Sequence, residues 1–233
     1  MKKTFKLKNL ALSLAVAGAA SVAMVPAASQ AGVSANVGVF TDYVFRGLNQ
    51  AADKGTPALQ GGFDYEHDSG LFAGVWGSTM DQGFEYDLYA GWGGSFEGVD
   101  LGIGYISYMY SEDVGEADSG SSAFEEINLS AGYGPISIGY DLGTDNTVAS
   151  TDEDKYVHYS VSADMGAIAE GVSLTYGATK YDGADDASGY FDIGYATTLD
   201  MGVDLGVNMI LSDANTDDTT YFVVGLSKSF DLM

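Results

Sequence analysis

A chain of 233 residues with 33 acidic and 9 basic side chains carries a formal charge of −24, which repels nucleic-acid phosphates and excludes a nucleic-acid partner. Disordered acidic chains are poor in aromatic residues, so 16 Tyr, 11 Phe and 2 Trp argue for a folded domain instead. With no cysteine there is no disulfide framework, thiolate metal site or thiol nucleophile.

At the N-terminus, Lys2, Lys3, Lys6 and Lys8 precede an apolar and small-residue run from Leu10 to Val25. That order is the signature of a secretory signal peptide, and the run is shorter than the ~20 apolar residues a spanning helix needs. Pro26 with the small residues Ser29 and Ala31 places the cut after Ala31, so residues 1–31 are the expected leader and 32–233 the mature domain, starting at Gly32. Cleavage removes four of the nine basic residues and none of the acids, taking the formal charge from −24 to −28. No shift in composition divides the mature part, which reads as one domain.

Beyond the leader, strict period-two alternation dominates, the mark of strands with one apolar and one polar face. Phe84, Tyr86, Leu88, Ala90, Trp92 and Phe96 share one face, opposite Glu85, Asp87, Tyr89, Gly91 and Gly93. After a tight Glu97-Gly98 turn, Val99, Leu101, Ile103 and Tyr105 alternate with Asp100, Gly102 and Gly104. The same pattern predicts twelve strands: Val33 to Arg46, Ala58 to His67, Leu71 to Thr79, Phe84 to Phe96, Val99 to Tyr110, Phe124 to Tyr133, Ile136 to Gly143, Lys155 to Asp164, Val172 to Tyr181, Tyr190 to Thr197, Val203 to Leu211 and Thr219 to Phe230. Most approach the ~9–11 residues with which a tilted strand crosses a bilayer.

Connections alternate in length. Short turns built on Asp68-Ser69-Gly70, Glu97-Gly98 and Gly134-Pro135 contrast with longer acidic stretches, Gly47 to Pro57, Ser111 to Ala123, Thr144 to Asp154, Asp182 to Gly189 and Ser212 to Asp218; the connection after the third strand is a short exception. An even strand number with turns at one end and loops at the other predicts an all-β, closed, antiparallel up-and-down transmembrane barrel with both termini on the turn side. A soluble sandwich or lipocalin-like barrel also alternates, but its solvent face would mix lysine with acids. Here the polar row is Gly, Ser, Asp, Asn and Tyr, which suits a lumen.

Three stretches carry a family resemblance. Thr41-Asp42-Tyr43-Val44-Phe45-Arg46-Gly47-Leu48-Asn49-Gln50, followed by Pro57 to Tyr65 and Gly70 to Ser78, resembles the opening strands of the TorF family of porins, through Asp42, Tyr43, Phe45, Arg46, Gly47, Gln50, Gln60, Gly61, Asp64, Tyr65 and Trp76. Asn49 departs from the serine or threonine expected before Gln50. The resemblance is sharp over Ser34 to Ser78 and diffuse afterwards, and it implies an outer-membrane barrel without specifying a solute. Phe222, Val224, Leu226 and Phe230 form a C-terminal strand of the kind the barrel-assembly machinery reads, interrupted by Lys228, whose ammonium is expected to reach the interface.

Facing the apolar rows outward turns the polar rows inward, because a charge against mid-bilayer lipid is costly. The inward set is then Asp42, Arg46, Asp64, Glu66, Glu85, Asp87, Asp100, Glu126, Asp141, Asp164, Asp192 and Asp204, with His158 beside Tyr156 and Ser160. Asp42, Asp64 and Asp87 are expected deep, and Asp100, Asp141 and Asp204 at the rim. Carboxylates lining water concentrate cations, so a cation-preferring diffusion channel is expected in the Gram-negative outer membrane. Arg46, the sole mature arginine, is expected to pair in the lumen with Asp42 or Asp64, the alternatives being contact with a solute and a solvated rim position.

Of the two histidines, His67 abuts a short turn and His158 lacks any G-x-S-x-G elbow, so no catalytic residue is assigned. The acidic loops lack EF-hand spacing, and no metal or cofactor is expected. Expected partners are outer-membrane lipid and lipopolysaccharide, small solutes and the assembly machinery. The alternative is a packed, non-conducting barrel with a structural or adhesion role carried by its acidic loops. Inward Tyr89, Tyr108, Tyr110, Tyr156, Tyr181, Tyr190 and Tyr221 suit either a solid interior or a lined passage.

Overall fold

The computed structural model describes residues 31–51, 55–81, 83–148, 154–213 and 219–233; the expected leader, apart from Ala31, and parts of the acidic loops around 149–153 and 214–218 lie outside them. The described residues form fourteen strands: β1 Gly32–Phe40, β2 Val44–Phe45, β3 Leu48–Asn49, β4 Ala58–Glu66, β5 Leu71–Met80, β6 Gly83–Phe96, β7 Val99–Tyr110, β8 Ser122–Tyr133, β9 Ile136–Asp145, β10 Asp154–Asp164, β11 Val172–Tyr181, β12 Ser188–Leu199, β13 Val203–Ser212 and β14 Thr219–Asp231. Twelve pair antiparallel in chain order, and β1 pairs with β14 to close the barrel. Closure removes both sheet edges, the arrangement that satisfies every ladder group.

The alternation settles which row faces where. Along β6, Glu85 and Asp87 are buried while Phe84, Leu88, Trp92 and Phe96 are exposed on the outer wall. Registers carry this row around the barrel: Leu129 lies between Ile103 and Tyr140, and Val161 between Ile138 and Tyr176. The turn end of the outside is rich in rings, with Tyr65, Phe96, Tyr133, Tyr195 and Phe230 exposed. Lys228, on the outward row, donates from Nζ to the Met201 carbonyl in the β12–β13 turn at 2.9 Å, and so directs its charge to that end.

Tight reversals use residues able to take positive φ. Glu97 (φ 51) and Gly98 (φ 84) make the two-residue β6–β7 turn, the both-positive geometry that matches strand twist. Gly70 (φ 86) tolerates no side chain, since a Cβ would lie 2.0 Å from the Gly93 carbonyl oxygen.

One strand differs from expectation. The first was read as continuing to Arg46; β1 instead stops at Phe40, and the chain turns inward to form a separate two-stranded hairpin, β2–β3. Period-two alternation persists through Val44 and Phe45 because these are strand residues too, only of another sheet. At the hairpin tip Arg46 (φ 49) and Gly47 (φ 84) occupy the turn. Arginine is an unusual first residue there, where Asn or Asp is favoured, which hid the reversal.

Candidate functional site

The hairpin crosses the loop-side half of the barrel interior. On one side Val44 packs with Phe40, Ile210, Tyr221 and Val223; on the other Phe45 meets Ile106 and Tyr108. Tyr43 stands edge-on to Trp76 of β5 with centroids 5.7 Å apart. Its base is pinned by Gln50 N donating to Tyr43 O at 2.8 Å, and by Asp81 N donating to Gln50 O. At the tip, a Cβ on Gly47 would lie 2.4 Å from Ser212 Oγ and 3.0 Å from Tyr190 Cβ, so only glycine lets the backbone approach β12 and β13 this closely.

Arg46 is the electrostatic centre of the site. Its Nη1 and Nη2 grip the two carboxylate oxygens of Glu126 on β8, and Nη2 also donates to Asp141 Oδ2 on β9 at 2.8 Å. These side chains are 7%, 0% and 2% exposed. Burial of this depth is tolerable only with extensive hydrogen bonding, and the surroundings provide most of it, leaving Arg46 Nε and Asn128 Oδ1 without a partner. Glu126 also accepts from Tyr108 (3.1 Å), Tyr156 (2.8 Å) and Asn128 (3.0 Å). Asp141 accepts from Asn128 at 2.9 Å and lies 3.0 Å from His158 Nδ1. His158 stacks on Tyr190, centroids 6.0 Å apart.

This corrects two expectations. Arg46 pairs with Glu126 and Asp141, not with Asp42 or Asp64; because it sits on the hairpin instead of β1, it reaches across the lumen to the far wall. Asp141 is not at the rim but 2% exposed in the central network, because its strand is entered from the turn side and Asp141 lies six residues along β9. The sequence reading overlooked Asn128, which bridges Glu126 and Asp141; its inward parity was the available signal.

The other expected residues are placed as follows. Asp42 is buried in the connection between β1 and the hairpin, where it accepts from Gly55 N. Asp64 accepts from Tyr89 and, at 3.2 Å, from Asn36, in the turn-side half. Glu66 and Asp100 are half-buried at the turn end, and Asp204 accepts from Thr198 there. Asp164 accepts from Gly166 N at its strand end. Asp192 accepts from both sides of one contact, Asn208 Nδ2 at 2.9 Å to each oxygen. Glu85 and Asp87 are 2% and 1% exposed on β6.

The two halves of the interior differ in bulk. Toward the loops, inward positions carry Tyr108, Tyr110, Phe124, Tyr156 and Tyr221 around the hairpin. Toward the turns they carry Gly102, Gly104, Ser130, Gly132, Ser137, Gly139, Ser162, Ser173 and Gly194. Twelve strands enclose more space than the eight whose side chains just fill a barrel, and on the turn side Phe72 and Tyr89 are the large inward side chains among these small ones.

Comparisons with known proteins follow this geometry. Residues 25–231 match the family described as "Bacterial protein of unknown function (Gcw_chp)". Among solved structures, the KdgM porin is similar with a TM-score of 0.53 and 9% identity over 84% of this chain and 99% of that one. A chain described under "Unveiling the Mechanism Behind the in-meso Crystallization of Membrane Proteins" has a TM-score of 0.56 and 10% identity over 87% and 84%. These likenesses are of fold. Comparison with curated proteins found no match.

Proposed function

The chain belongs to the Gcw_chp family of bacterial proteins, and from its own site we propose that it is an outer-membrane porin-like channel for passive diffusion of small, preferentially cationic solutes. The observation that carries this reading is the inversion of the barrel: apolar and aromatic side chains outside, carboxylates inside. An outer wall of Val, Leu, Ile and Phe is stable against hydrocarbon, and an acidic lumen concentrates cations. Export fits the leader expected at residues 1–31, with turns facing the periplasm. The resemblance of the opening strands to TorF porins points the same way. The reading assigns His158 no catalytic role: its ring lies between Asp141 and Tyr190 in the ion-pair network.

The hairpin favours a second reading, a packed barrel that conducts nothing, since it fills the loop-side half. Planar-bilayer recording on refolded protein separates them. Discrete conductance steps whose reversal potential in a KCl gradient reports cation preference support the channel; silence supports the packed barrel, and anion preference removes the proposed selectivity.

A further inference from the structure

Charge in the interior is not evenly compensated. Arg46 is committed to Glu126 and Asp141. Lys155 and Lys180 are exposed, and Lys228 is turned to the outer wall. Yet Glu85 and Asp87, two residues apart on the inward row of β6, are 2% and 1% exposed. Among the described residues no cation reaches either, and one oxygen of each, Glu85 Oε2 and Asp87 Oδ1, has no hydrogen-bond partner. A buried carboxylate oxygen without a protein donor costs several kcal/mol on most scales, so these two oxygens call for a positively charged or hydrogen-bonding group.

The neighbours indicate what kind of group would satisfy it. Cross-strand partners set Glu85 between Ser78 and Tyr110, and Asp87 between Trp76 and Tyr108. The hairpin closes over them through Tyr43, which packs on Trp76. Two carboxylates walled by aromatic rings suit a single positive charge, held by opposite charge and by ring faces. They offer too few oxygens for the six or more ligands of calcium.

We propose that Glu85 and Asp87 form a lumenal binding site for a monovalent cation, either an inorganic ion or the ammonium head of a small amine. This deepens the cation-channel reading and rests on it. The site lies under the base of the hairpin, so an ion bound there neutralises the wall that Arg46 does not reach.

The test uses the refolded protein in detergent micelles. Thermal unfolding is followed as N-methylglucamine chloride is replaced, at constant ionic strength, by potassium chloride or by methylammonium chloride. Binding to the folded state alone raises the folding constant by a factor of 1 + [L]/Kd, about a hundredfold at 100 times Kd. The midpoint is therefore expected to climb and saturate with at least one probe, and the probe giving the tighter curve identifies the source. The double variant Glu85→Gln/Asp87→Asn is expected to give a flat response, whereas Asp182→Asn/Asp185→Asn, which removes the same charge from an exposed loop, keeps the rise. No response of the native protein to either probe, as when the two carboxyls share a proton, overturns the proposal. So does a rise that survives in the first variant or disappears in the second. Conductance separates this from the channel reading: a silent barrel with a saturable rise loses the channel and keeps the site, and a cation-selective channel with no rise does the reverse.

Discussion

Replacing Arg46 by alanine is expected to free the hairpin. The substitution strands Glu126 and Asp141, 1% and 2% exposed, with their principal counter-charge gone. Breaking one side of a buried pair costs about 3–5 kcal/mol. The folded barrel has an escape from that cost, because lifting the hairpin admits water to both carboxylates. Against the escape stand Val44 and Phe45, whose burial contributes about 1.5–3 kcal/mol each. The balance between seated and lifted hairpin therefore shifts strongly, by up to about two to three orders of magnitude at 1.4 kcal/mol per factor of ten. Single-channel recordings of the variant are expected to show longer open times and larger conductance than the native protein, with a lower unfolding midpoint. Arg46→Lys keeps the charge and loses the two-pronged grip on Glu126, so it falls between the two. Adding Glu126→Gln to Arg46→Ala should recover part of the lost stability, a coupling that neighbours in one network show. Unchanged conductance and unchanged midpoint in Arg46→Ala would refute the role of the ion pair in seating the hairpin.

Gly47→Val places a branched side chain where Ser212 Oγ already lies 2.4 Å from an ideal Cβ and where φ is +84; it should displace the tip and raise conductance with little loss of barrel content by circular dichroism. Leu129→Arg sets a charge on the outer wall between Ile103 and Tyr140, at a cost of about 2–4 kcal/mol at bilayer mid-depth; refolding into vesicles should fail or slow, while an arginine at exposed Ile168 in the β10–β11 turn is tolerated. Asp192→Asn removes an inward carboxylate bonded to Asn208 and should reduce the cation preference read from the reversal potential without abolishing conductance.

The barrel was legible because its rule is local. Period two in Phe84 to Phe96 fixes two faces by geometry alone, and Glu97-Gly98 fixes the reversal that aligns them with Val99 to Tyr105; repeated twelve times, this leaves little freedom but closure. The site was legible only in part. Parity placed Glu85, Asp87, Glu126 and His158 inward. It did not say that Arg46 would meet Glu126, 80 residues away in sequence, because that contact depends on where the chain leaves β1. The departure at Phe40 has no strong local mark: the turn is Arg46-Gly47, and Thr41-Asp42-Tyr43 reads as more strand. The misplacement of Asp141 has the same root, since depth was judged from the strand start without knowing the level at which the hairpin crosses.

Among the described residues the hairpin is the element that crosses the interior, between a loop-side half of large inward side chains and a turn-side half of mostly small ones. Gly139, Ser162 and Gly194 are small inward residues on the turn side, where Phe72 and Tyr89 are the large inward side chains. On the loop side the strands contribute Tyr108, Tyr156 and Tyr190, yet two of these are occupied with the hairpin's ion-pair network: Tyr108 and Tyr156 donate to Glu126. Those rings are held against the wall by the same carboxylate that Arg46 grips. When the hairpin lifts, Glu126 keeps the Tyr108 and Tyr156 hydroxyls as donors beside the water it gains, so the two rings retain a partner on the wall. If the proposed channel conducts, a strap anchored at one arginine is expected to leave the passage open when Arg46→Ala lifts it, whereas a barrel closed merely by side-chain bulk would refill.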